Sequence, residues 1–177
     1  YHDVHAHSGQ GVVYATSTRG ACHMAGDIYH WEQGRELPEL EITYGDPQEE
    51  TLEKMKVVAR VMDFRSFTNS AILCHFEEIP IPELLSLWTT ITGLQWNAQD
   101  LAQVGERIYT LKRTLNHRFG LTAADDTLPK PLLQAYEDGP TPGYAPDLET
   151  MMAFYYQVRD WDPKTGRPRS DRLRRLG

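Results

Sequence analysis

Two cysteines, seven histidines and an acidic pair supply the side chains with which this 177-residue chain could do chemistry. Cys74 closes the run Asn69, Ser70, Ala71, Ile72, Leu73, Cys74, where cationic and polar residues give way to apolar ones. A thiolate is a soft metal ligand, but one cysteine cannot hold an iron–sulfur cluster, so Cys74 taken alone reads as a buried structural residue. His23 follows Cys22 in RGACHMAG, Arg19 to Gly26, a small-residue segment that lets backbone approach a bulky group closely. Imidazole titrates near neutral pH, so His23 suits proton transfer, with a hydrogen-bonded core histidine as the plainer alternative. Cys22 is expected to be a small buried residue rather than a second ligand.

His2, His5 and His7 alternate in a way that could grip a divalent metal, but a flexible, solvated chain end is the expected state. The acidic turn Asp125, Asp126, Thr127 before Leu128 and Pro129 could be an acid/base pair. It reads better as side-chain caps holding a turn, with Arg107 and Arg113 of the preceding helix as partners for the carboxylates.

The elements that must position these groups are helical. A short buried helix is expected around Val12 to Arg19, and irregular chain from Asp27 to Tyr44. From Pro47, acidic residues open a long helix with Leu52, Met55, Val58, Ala59 and Met62 at helical spacing. A second begins near Pro82 and ends at Gly93, with Trp88 facing inward. Asn97 caps a third, along which Leu101, Val104, Ile108, Leu111, Leu115 and Phe119 recur every three or four residues until Gly120 stops it. That pattern predicts an apolar inner face, with Glu106, Arg107, Lys112 and Arg113 opposite. A further helix from Asp147 to Trp161 follows the proline-rich linker PTPGYAP. Strand-like alternation is scarce, and the predicted fold is an all-α, multihelical, bundle-like one.

Composition excludes several classes. The 40% hydrophobic content suits one domain, or two small packed lobes, with an ordinary core. No apolar run approaches the ~20 residues of a membrane helix, and no leader precedes the first motif, so a soluble protein without a membrane partner is expected. A net charge of −7 argues against nucleic acid. The arginines at 167, 169, 172, 174 and 175 are read as a terminal helix paired with acidic surface. Two cysteines suit a reducing cytoplasm better than a disulfide framework.

Four segments taken together resemble one family. GERIYTLKRTLNHRFGLTAADDTLP (Gly105 to Pro129), ATSTRGACHMAG (Ala15 to Gly26), NSAILCHF around Cys74 and YYQVRDWDPKTGRP near the end follow the order and spacing of the C-terminal helical region of tungsten-dependent aldehyde:ferredoxin oxidoreductases. The resemblance covers nearly all of residues 1–177 and implies one part of a larger enzyme, whose N-terminal pterin-binding domain lies outside this chain. It implies that Cys74 supplies the fourth thiolate to a 4Fe-4S cluster, that Asn69 and Leu73 lie in the pterin-contacting motif, and that His23 stands beside the tungsten as a proton donor or relay. Asn69 replaces the family's Asp and Ile72 its Gly. Asn offers a donor and an acceptor without charge, so the pterin contact changes. Asp3, Val4 and His5 stand where the family shows Asp-Pro-Arg, which alters the entry loop. The implied cofactors are a tungsten-bis-pterin and one 4Fe-4S cluster in the full-length enzyme, with none expected in the fragment alone. The implied reaction is aldehyde to carboxylate. Its implied partners are ferredoxin or a similar electron acceptor and the N-terminal region, with homodimerisation and tungsten versus molybdenum left open. A related tungsten enzyme acting on an aryl-CoA thioester, and a non-catalytic helical assembly module, are the alternatives.

Overall fold

The computed structural model describes residues 2–43, 45–77 and 79–177; Tyr1 and Tyr44, the start of the chain and the expected end of the irregular stretch, lie outside the described residues. The all-α expectation holds. Seven α-helices and four short 3-10 turns form the described chain, with only isolated bridges such as Leu37 to Ile42 and Trp161 to Pro168.

Helix α3, Leu52–Ser70, is the centre. Thr51 caps it by accepting from the Lys54 amide, so the helix begins at Leu52, five residues later than the expected start at Pro47. Every residue from Val61 to Thr68 is buried, because α1 (Ser8–Thr16), α5 (Ala98–Arg118) and α6 (Leu148–Arg159) pack around it. A helix buried all round must pair the charges it carries. Asp63 accepts from Arg159 Nη1 at 2.7 Å, and Arg65 meets Asp27 at 3.5 Å.

The remaining boundaries follow local signals. Helix α4, Ile81–Thr92, has Pro82 in its first turn and Gly93 at φ 74 beyond its end, and Trp88 is half-buried against Phe67 and Trp96. Helix α5 opens with a reciprocal capping box between Asn97 and Asp100, and α6 opens on Asp147. The stretch expected to be irregular contains one four-residue helix, α2 (Tyr29–Glu32).

The inner face of α5 differs from the expected one. Leu101, Gly105, Tyr109, Arg113 and His117 turn inward, while Leu111 and Phe119 are 65% and 81% exposed. Gly105 decides this, since without a Cβ the α5 backbone lies directly on α3. The row through Gly105 must therefore face the core. Arg113, expected on the outer face, is 1% exposed and forms a two-pronged pair with Asp126, with Nη1 to Oδ1 at 2.6 Å. Tyr156 donates its hydroxyl to the same carboxylate, and Arg113 Nε and His117 Nε2 both lie on the Gly166 carbonyl. The acidic turn is thus structural, as expected, but Arg107 takes no part in the Asp126 pair.

The histidine-rich first segment is also different from expectation. His5 is 1% exposed, its ring nitrogens lying 2.6 Å from Asp3 Oδ1 and 2.9 Å from the Gln134 carbonyl. Ser8 N–H donates to Pro47 O and Gln48 Nε2 donates to His5 O, so chain distant in sequence packs the segment into the fold. Among the described residues no group of three His, Cys, Asp or Glu gathers to hold a metal ion, and no helix is long and apolar enough to cross a membrane. Helix α7, Ser170–Leu176, carries the tail arginines, and Arg172 pairs with Glu106 while Arg175 meets Asp160 at 3.2 Å.

Candidate functional site

Helix α3 ends in a turn that presents Cys74. The Ile72 N–H returns to Asn69 O and the Leu73 N–H to Thr68 O, the double closure that follows a residue in the left-handed region. That residue is Ile72, at φ 59, a conformation most β-branched side chains avoid. The result lifts Cys74 into an exposed position with its thiol free, while Leu73 stays half-buried under it. Cys74 is therefore not the buried structural cysteine that its sequence setting alone suggests. Asn69 is exposed on the last turn of α3, and its Oδ1 lies 3.0 Å from His75 Nε2.

His23 opens the 3-10 turn His23–Ala25 and is half-buried. Its ring stacks on His2, with centroids 4.3 Å apart and planes inclined by 14°, and His2 packs in turn on Tyr29 at 4.5 Å. Burial lowers the His2 pKa, and the neighbouring His23 lowers it further. Cys22 is half-buried, and its Sγ accepts from Arg19 Nη2 at 3.2 Å.

One buried pair joins the two segments. Asp27, four residues after His23, sits against Arg65, four residues before Asn69 on α3. Burial, then the Arg65 charge, lowers the His75 pKa, so the guanidinium is felt at the Cys74 turn as well. This pair was missed in the sequence; its signal was a charged residue, Arg65, flanked by the aromatic residues Phe64 and Phe67 in the second half of α3. Beside Asn69 lies a cavity of about 230 Å³ lined by Thr18, Arg19, Ser66 and Lys112, which suits an anionic or phosphorylated group.

A family profile described as "Aldehyde ferredoxin oxidoreductase, domains 2 & 3" matches residues 1–177. The chain belongs to that family. Tungsten-containing aldehyde ferredoxin oxidoreductases of Pyrococcus abyssi and Pyrococcus furiosus are each 31% identical to it, over 99% of this chain and 29% of theirs. That of Thermococcus kodakarensis is 30% identical, over 99% of this chain and 29% of its own length. The chain thus spans under a third of the length of these relatives. Ile72, which the resemblance sets against a Gly, is the residue that this backbone holds in the left-handed region.

Proposed function

We propose that this chain is the C-terminal part of a tungsten-pterin, iron–sulfur oxidoreductase that converts aldehydes to carboxylic acids and delivers the electrons to ferredoxin. The observation that supports the reading is the free, exposed thiol of Cys74, raised on the turn after α3, in the segment that carries the resemblance. The fit is good on the chemistry of the donors. A cluster needs an accessible thiolate, and Cys74 offers one without a competing partner. A phosphorylated, hydrogen-bonding cofactor needs cations and an amide, and Arg19, Lys112 and Asn69 line one cavity.

Cys74 would hold one iron of the cluster, its other three thiolates coming from outside this chain, and Asn69 with Leu73 would contact the pterin. When bound, these groups supply the redox chemistry: two electrons leave the aldehyde together and pass on singly. The residues of this chain handle position and protons. His23 would donate to, or accept from, the reacting oxygen, and its stacking on His2 fixes the plane of the ring. The Asp27–Arg65 pair holds the His23 segment against α3, so that the proton-handling group and the cluster ligand share one rigid frame.

The test is metal analysis of the complete protein purified without oxygen, together with aldehyde-dependent reduction of ferredoxin. Tungsten, iron and aldehyde-dependent turnover are expected. Neither metal in the complete protein would reject the reading in favour of a non-catalytic helical module.

A further inference from the structure

We propose that His7 is a second proton-accepting residue of this site, held for that task by Glu32 and Lys54. For the reaction it serves, the inference rests on the oxidoreductase reading; for its geometry it does not.

His7 immediately precedes α1, and its Nδ1 lies 2.7 Å from Glu32 Oε2. An ionised carboxylate only accepts, so Nδ1 carries a proton, and in the neutral ring Nε2 keeps its lone pair. The carboxylate is itself fixed. Lys54 Nζ lies 2.7 Å from Glu32 Oε1, and the same ammonium donates to Ser8 Oγ, Asp46 O and Pro47 O at 2.9, 2.9 and 2.6 Å. These three acceptors use every N–H of Lys54, whose ammonium stands beside Glu32 as its counter-ion. Gly9 makes room for the arrangement, since a Cβ there would stand 2.9 Å from Glu32 Oε1.

Two buried histidines show the contrast. His5 and His117 each have both ring nitrogens on oxygens of the protein, and both are committed to structure. His7 Nε2 makes no hydrogen bond to the described residues and is not among the fully buried polar atoms. A carboxylate-oriented imidazole with one bare nitrogen is the arrangement by which proteins prepare a base.

Two aromatic rings separate it from His23. The His7 ring meets the edge of Tyr29 at 6.2 Å, Tyr29 packs on His2, and His2 stacks on His23, so one row of rings links the two imidazoles. The chemistry calls for a second base. One aldehyde and one water give one carboxylate, two electrons and three protons; the electrons go to a one-electron carrier of the ferredoxin class, and the protons must leave through bases. A single imidazole takes one at a time.

The test is labelling of the complete protein with diethyl pyrocarbonate, mapped by mass spectrometry. His7 is expected to react about tenfold faster than His5 or His117, because its nitrogen alone is free. Glu32→Gln is expected to slow His7 several fold; should that variant fail to fold, the ranking within the parent decides. Labelling of His7 as slow as that of His5 overturns the proposal. In metal-loaded enzyme, His7→Gln should lower kcat with iron and tungsten content unchanged, and an unaltered kcat also overturns it. Absence of tungsten would remove the oxidoreductase reading while the labelling still reports the state of His7.

Discussion

Gly105 of α5 crosses Asp63 of α3 so closely that a Cβ on the glycine would stand 2.2 Å from the Asp63 carbonyl oxygen. At an open helical site, Gly→Ala stabilises by about 1 kcal/mol through propensity. Here the methyl would meet backbone, which cannot rotate away, and the two central helices must part. Gly105→Ala is expected to cost about 2–3 kcal/mol, read as a lower urea midpoint. A variant as stable as the parent would mean that the helices are not in this contact.

Ile72 gives the opposite sign. It holds φ 59 with its side chain 92% exposed, so it bears the left-handed strain and gains no packing in return. Replacing it with glycine relieves about 1–2 kcal/mol of strain against a smaller entropic cost in the unfolded chain. Ile72→Gly should raise stability by about 1 kcal/mol in denaturant titration. A destabilised variant would place some partner on that side chain.

Asp126 and Arg113 form the junction between α5, the acidic turn and α6. Asp126→Ala would leave the Arg113 guanidinium buried without its counter-ion and Tyr156 without its acceptor. The expected loss is about 3–5 kcal/mol, and the double variant Arg113→Met, Asp126→Leu should recover most of it. An unchanged melting temperature on Asp126→Ala would reject the junction.

Burial holds the Asp63 carboxyl up to about 6, despite the Arg159 guanidinium beside it. The sign follows from proton linkage. The unfolded carboxyl titrates near 3.8 and the folded one near 6, so the folded state binds more protons between those values. Stability from this group is fully present below pH 3.8 and is lost as pH rises through 6. Relative to Asp63→Asn, the parent should therefore lose about 2 kcal/mol between pH 4 and 7. Parallel stability curves for the two proteins would contradict it.

The starts of α4, α5 and α6 were legible because capping is local: the Pro82 turn, Asn97 and Asp147 each announce themselves within a few residues, whereas the Thr51 cap was missed and α3 was expected from Pro47. The inner face of α5 was not. Its periodic leucines offered a plausible apolar stripe, but the choice of face was made by one close backbone approach at Gly105, and periodicity carries no information about a crossing. The His2 to His7 segment escaped for a related reason, since the chain that buries it, around Pro47, Gln48 and Gln134, lies tens of residues away. At the candidate site Cys74, Asn69 and His23 were recognisable from family motifs, whereas the Asp27–Arg65 pair that joins them is a long-range contact between two unremarkable charges.

The most direct test of the central assignment is the visible absorbance and iron content of the complete protein, purified without oxygen, beside its Cys74→Ser variant. The parent should show broad iron–sulfur charge-transfer absorbance and about four irons per chain, collapsing in the variant while the helical content stays. A cluster that survives Cys74→Ser intact would contradict the fourth-thiolate role on which the proposed electron path depends.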